Sequence, residues 1–76
     1  MQVTVYSTPT CPWCKKIKAF LSEHSVEFND IDVSADQVKA AEMIEKSGQM
    51  GVPVLEIGDD LVIGYDEARV SQLLNL

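Results

Sequence analysis

Two cysteines separated by two residues, Cys11-Pro12-Trp13-Cys14, lie between a stretch with strand character and a stretch with helix character. That placement restricts the fold more than any other feature of the chain. Residues 2–7 alternate polar and apolar side chains and are rich in β-formers, with Val3 and Val5 on one face. Ser7-Thr8-Pro9-Thr10 makes a loop. A helix is expected to start around Cys11, because proline in the first helical turn needs no N–H donor and has its φ preset. Ile17, Phe20 and Leu21 recur at helical spacing, and His24-Ser25 ends the segment.

Further along, Val26, Phe28, Ile31 and Val33 fall among Glu27, Asn29, Asp30 and Asp32, so residues 26–33 read as a second strand with a mixed apolar face. Ser34 followed by Gln37 matches a capping box, and Val38, Ala41 and Ile44 give the expected face of a second helix. Ser47-Gly48 stops it, as glycine does just past a helix end. Residues 52–57 read as a third strand and residues 61–63 as a fourth. The turn Gly58-Asp59-Asp60 between them is short enough to require an antiparallel hairpin. Asp66 caps a last helix with Val70, Leu73 and Leu74 turned inward. The order is βαβα followed by ββα. The first unit forces a parallel pair with a right-handed crossover, and the hairpin adds antiparallel strands. The expected architecture is α/β: a four-stranded mixed sheet flanked by three helices, in a single domain over residues 1–76.

Charge narrows the function classes. The net charge is −6, yet Lys15, Lys16 and Lys18 crowd just behind the cysteine pair, with no acid among residues 1–20. An acidic chain without a basic patch elsewhere is a poor nucleic-acid binder, since phosphates demand clustered Lys and Arg. The lysines read either as a solvated helix face or as cations that favour a thiolate or attract an acidic partner. No apolar stretch approaches the roughly 20 residues of a spanning helix, so no membrane partner is expected. Residues Met1 to Tyr6 lack the basic region and long apolar stretch of a secretory leader and read as strand instead. A cytoplasmic monomer is the expectation.

The cysteine pair carries the chemistry. Two cysteines make no staple framework for a small secreted domain, and the loop they would close is too short to restrain an unfolded chain much. A thiol attacks disulfides only as its thiolate, and an unperturbed cysteine is about 3% ionised at pH 7. The N-terminus of a helix, with unpaired N–H groups and the positive end of the macrodipole, stabilises an anion. Cys11 is expected at that end, exposed and activated, with Cys14 one turn further in and more enclosed. Cys11 attacks, a mixed disulfide forms, and Cys14 releases the product by attacking Cys11. A zinc site would need four ligands, and His24, the other candidate, suits a helix C-terminus better. A c-type haem site needs His directly after the second cysteine, where Lys15 stands. A metal or iron–sulfur cluster shared through Cys11 of two chains stays open as a reading of another class. Trp13 lies off the Ile17/Phe20/Leu21 stripe and is expected to be exposed as a partner contact.

With these residues in hand, the chain resembles a glutaredoxin over nearly its whole length, and among glutaredoxins it is similar to the small YruB-type and redoxin members of the thioredoxin superfamily. Val5-Tyr6-Ser7-Thr8-Pro9-Thr10-Cys11-Pro12-Trp13-Cys14 resembles the family's active-site entry, usually ending Cys-Pro-Tyr-Cys. Gln49-Met50-Gly51-Val52-Pro53 resembles the segment ending Thr-Val-Pro, and Gly64-Tyr65-Asp66 resembles Gly-Gly-x-Asp. The resemblance implies a thioredoxin fold and a thiol–disulfide oxidoreductase of protein or glutathione-mixed disulfides, with Cys11 and Cys14 catalytic. It implies that Pro53 follows a cis peptide bond opposite Cys11, and that the Val52 backbone pairs with a substrate's cysteine segment. It further implies a substrate or glutathione surface drawn from Thr8, Pro12, Trp13, Gln49, Val52, Pro53, Gly64, Tyr65 and Asp66, with the γ-glutamyl end of glutathione at the last helix's N-terminus. No tightly bound cofactor or metal is implied; the electron donor is glutathione or a flavin thioredoxin reductase. Three departures bear on that choice. Thr8 stands where the family commonly has Lys, Gln49 where it often has Arg or Lys, and Gly51 where it has Thr. Those cations hold the glycine carboxylate of glutathione, and Lys15 or Lys16 is left to compensate.

Overall fold

A computed structural model describes residues 2–76. Met1, included in the expected first strand, lies outside the described residues. The elements run β1 (Val3–Ser7), α1 (Pro12–Glu23), β2 (Asn29–Asp32), α2 (Gln37–Ser47), β3 (Val54–Ile57), β4 (Asp60–Ile63) and α3 (Glu67–Leu74). The sheet has the order β2-β1-β3-β4. β1 runs parallel to β2, with Val5 beside Asp30, and antiparallel to β3, with Val5 beside Leu55. β3 and β4 form the expected hairpin, Leu55 opposite Val62.

The central position of β1 explains why all five of its residues are buried, Thr4 and Ser7 included. One sheet face presents Val3, Val5, Leu55, Ile57 and Val62 to Ile17 and Leu21 of α1 and Val70 of α3. The other presents Tyr6 and Val54 to Met43 of α2. Both faces are covered, so polar–apolar alternation along β1 does not map onto inside and outside.

Two expectations about α2 are corrected. Its N-cap is Asp36, whose carboxylate accepts the Lys39 N–H at 3.1 Å, not Ser34. Ser34 is already engaged: its N–H and hydroxyl both donate to Asp32 Oδ1, at 2.9 and 2.5 Å. Nor do Val38, Ala41 and Ile44 face the core. They are exposed, Val38 by 70%, while Met43 is 2% exposed between half-buried Ala40 and Ser47. Both stripes have helical period, and the long Met43 side chain is the one that reaches Tyr6 and Val54. Gly48 does end the helix, with φ +73°, a left-handed conformation that favours glycine.

Strand lengths also differ. β2 covers only Asn29–Asp32 of the expected residues 26–33, because Val26 and Phe28 leave the ladder to pack on the core beneath α1. β3 begins at Val54 rather than Val52, and β4 begins at Asp60. The last helix follows expectation, with Asp66 as N-cap accepting the Arg69 N–H at 3.0 Å and Val70 fully buried.

Candidate active site

β1 ends in the sheet centre and delivers the chain to the loop Thr8-Pro9-Thr10, where the Thr8 carbonyl accepts the Cys11 N–H at 3.3 Å. Cys11 is then the N-cap of α1, in extended conformation, with Pro12 opening the helix. Its sulfur takes the place a Ser or Asp oxygen usually holds. The Cys14 N–H donates to Cys11 Sγ at 3.1 Å, satisfying one of the free amides of the first turn. Cys11 is partly exposed and Cys14 is fully buried. Burial, and after it the hydrogen bond to Cys11, push the Cys14 thiol up to about 11.

A second segment meets the first across the sheet. The Val52–Pro53 peptide bond is cis, and Cys11 Sγ lies 3.9 Å from the Val52 carbonyl oxygen. The Gly64 N–H donates to the Pro53 carbonyl at 2.8 Å, which anchors the loop after β4 against the same segment. Gly64 has φ +83° there, a left-handed conformation that suits glycine. Trp13, Val52, Pro53, Gly64 and Tyr65 thereby line one groove of about 340 Å³ beside Cys11.

Trp13 is 51% exposed and forms the groove's outer wall. Its ring packs on Tyr65 with centroids 5.5 Å apart, and the Lys16 ammonium sits 4.5 Å above the indole. The Tyr65 hydroxyl donates to Glu67, and that bond raises its ionisation above the ordinary tyrosine range. Lys16 is one of the two lysines expected to compensate for the missing cations, whereas Glu67 is absent from the residues expected at the site. The i, i+3 spacing of Trp13 and Lys16 is a signal for the first.

Thr8, Pro12, Gln49 and Asp66 are not among the groove's lining residues. Thr8 lines a separate cleft with Lys18 and Asp30. Gln49 folds onto its own loop, its Oε1 accepting the Gly51 N–H and its amide donating to the Gly51 carbonyl at 3.0 Å. Asp66 is occupied as the cap of α3. His24 is the C-cap of α1, its ring tilted against Phe20 with centroids 4.6 Å apart. Among the described residues no group of three or more His, Cys, Asp or Glu side chains is placed to hold a metal ion, and no helix is long and apolar enough to cross a membrane.

Residues 3–62 match the family model described as glutaredoxin. The chain belongs to the glutaredoxin family. It is 40% identical over 72 residues to an uncharacterised glutaredoxin-like 8.6 kDa protein of Clostridium pasteurianum from a rubredoxin operon, covering 95% of this chain and 96% of that protein. Among solved structures, glutaredoxin-1 of Archaeoglobus fulgidus superposes with a TM-score of 0.90 at 30% identity, over 99% of this chain and 87% of that one. The glutaredoxin-like protein NrdH-redoxin of Escherichia coli, whose structure was solved to explain a thioredoxin-like activity profile, superposes with a TM-score of 0.83 at 26% identity, over 96% and 95% of the two chains. The fold is therefore the thioredoxin fold, as the glutaredoxin resemblance implies, and the two cysteines stand where this glutaredoxin's β1–α1 junction places them.

Proposed function

We propose that this glutaredoxin-family chain is a dithiol reductase of disulfide-bonded proteins, with Cys11 as nucleophile and Cys14 as resolving thiol. The observation that carries the reading is the hydrogen bond from the Cys14 N–H to an accessible Cys11 sulfur at a helix N-terminus, with the Cys14 sulfur buried behind it. The Cys11 sulfur accepts one of the first-turn amides of α1, while Cys14, pushed up to about 11, stays a thiol until it is needed. A substrate disulfide enters the groove, its cysteine segment lying along Val52. Cys11 forms a bond to one substrate sulfur and the other leaves as a thiolate that takes up a proton. Cys14 then loses its proton and attacks Cys11, and the second substrate thiol departs.

The donor we favour is a flavin thioredoxin reductase rather than glutathione. Thr8 and Gln49 supply no cation for the glycine carboxylate of glutathione, and a missing charged partner costs about 1.5–3 kcal/mol, or about ten- to a hundredfold in affinity. The NrdH-redoxin likeness agrees with this preference. Lys16, over Trp13, is the cation that speaks for glutathione.

Insulin reduction tests the reading directly. Cys11→Ser is expected to be inactive, and Cys14→Ser to accumulate a mixed disulfide; full activity of Cys11→Ser would overturn the assignment. Turnover with NADPH and thioredoxin reductase, set against turnover with glutathione and its reductase, decides the donor.

A further inference from the structure

Resolution requires a fully buried thiol to become negative, and the groups beside it show how the fold meets that requirement. Lys18 follows Cys14 by four residues on α1, so both lie on the same helix face. It is held there from two sides. Its ammonium donates to Asp30 Oδ2 of β2 at 3.0 Å and to the Ser7 hydroxyl at the end of β1 at 3.4 Å; Ser7 in turn donates to Asp30 Oδ1 at 2.8 Å. Ser7 is buried and the Lys18 side chain mostly so. A hydroxyl and a carboxylate thus fix a long cationic side chain that solvent would otherwise leave mobile.

We propose that Lys18, tethered by Asp30 and Ser7, stabilises the negative charge that Cys14 develops when it resolves the mixed disulfide. This rests on the assignment of Cys14 as resolving thiol. Lys18 acts through Cys14 and is a positioning residue. In the step concerned, Cys14 loses its proton to solvent, its sulfur bonds to Cys11, the bond from Cys11 to the substrate sulfur breaks, and the substrate thiolate takes up a proton. A cleft of about 220 Å³ lined by Thr8, Lys18 and Asp30 opens the Lys18 side of this corner to solvent. Two electrons pass from the dithiol to the substrate, and Lys18 remains protonated throughout.

The charged groups at this corner are Lys18 and, on β2, Asp30 and Asp32; the Cys11 sulfur beside Cys14 is bonded to the substrate in this step. β1 carries no charged residue, and Glu56 of β3 is turned to Lys46 on the opposite sheet face. The Lys18 charge acts on Cys14 in the direction the proposal needs, lowering its ionisation against the larger effect of burial.

Dithiobis-nitrobenzoate separates the two steps, since Cys11 attack releases one coloured thiolate and Cys14 attack the second. In stopped flow, Lys18→Met is expected to leave the first release unchanged and to slow the second severalfold, because less Cys14 is ionised at a given pH. The pH profile of the second release should shift upward accordingly. Lys18→Arg, which keeps the charge, should restore both rate and profile. An unchanged second release in Lys18→Met, or equal slowing in Lys18→Arg without a shift in profile, would overturn the proposal. Absence of a second release in the unmodified protein would instead overturn the role of Cys14. Matching urea midpoints for the variants exclude loss of fold as the cause.

Discussion

The Cys11 sulfur and the Val52 carbonyl oxygen lie 3.9 Å apart although the two residues are 41 positions apart in the chain. β1 and β3 pair antiparallel in the sheet centre, with Tyr6 beside Val54, and that register brings the loop after one strand against the segment before the other. A peptide seated on Val52 would therefore present its sulfur to Cys11 with little further adjustment. Backbone pairing of that kind supplies affinity while leaving side-chain choice to the groove walls.

Trp13 is the wall most open to test. Replacing it with Ala removes the contact with Tyr65 and the seat of Lys16, but little core. KM for a protein disulfide should rise by about two- to tenfold, consistent with about 0.5–1.5 kcal/mol for an aromatic pair. The thermal midpoint should hardly move. Steady-state kinetics with insulin, beside a melting curve, checks both.

Accessibility and the high ionisation of Cys14 predict one-site alkylation. Iodoacetamide at neutral pH should modify the reduced protein once, at Cys11, and a second time only in denaturant. Mass spectrometry of the two samples reads the count. Prompt double modification of the native protein would contradict the burial of Cys14.

The same thiol makes stability depend on pH in alkali. It ionises at about 11 in the folded protein against an ordinary value of 9.0, so the folded state holds the proton longer than the unfolded chain. Stability of the reduced protein should fall as pH rises through that window. Comparing urea unfolding of the reduced protein with that of Cys14→Ser isolates the effect, because the variant should lose that part of the slope.

The orientation and the N-cap of α2 are tested by three substitutions. Met43→Ala should cost about 2–5 kcal/mol, as core truncations do. Val38→Ala, on the exposed stripe, should stay within about 0.5 kcal/mol. Asp36→Ala should cost about 1 kcal/mol through loss of the N-cap. Equilibrium urea denaturation measures all three.

Asp32 predicts an effect in acid. The hydrogen bond from the Ser34 hydroxyl, first among its contacts, lowers the Asp32 ionisation below the ordinary 3.8. Its contribution is present above that value and is lost as pH falls through the lower folded one. A carboxyl NMR titration should show Asp32 moving back up in Ser34→Ala.

The elements that sequence placed well are those whose signals are local. Pro12 after a cysteine, Asp66 before Glu67 and Gly48 after Ser47 each act within one turn, so caps and breaks at these points were legible. The misplaced features needed knowledge of neighbours. Ser34 is a good cap in isolation but loses to Asp36 because Asp32 engages it first. Val38/Ala41/Ile44 and Met43 with its neighbours are both helical stripes, and only the sheet face beneath selects between them. The contacts of Gln49 with the Gly51 backbone, which close its own loop, likewise carry no sequence signal.

By itself the amino-acid order determined that a helix begins beside Cys11, that Cys14 lies one turn away, and that four strands and three helices alternate in this arrangement. Those properties follow from dihedral preferences and hydrogen bonds a few residues in span. Tertiary structure alone decided that Val52, Pro53, Gly64 and Tyr65 gather around Cys11, that Cys14 loses contact with water, and that Lys18 is held by Asp30. Each of these depends on which surfaces meet when the strands pair, and strand pairing joins residues whose separation along the chain carries no local signal.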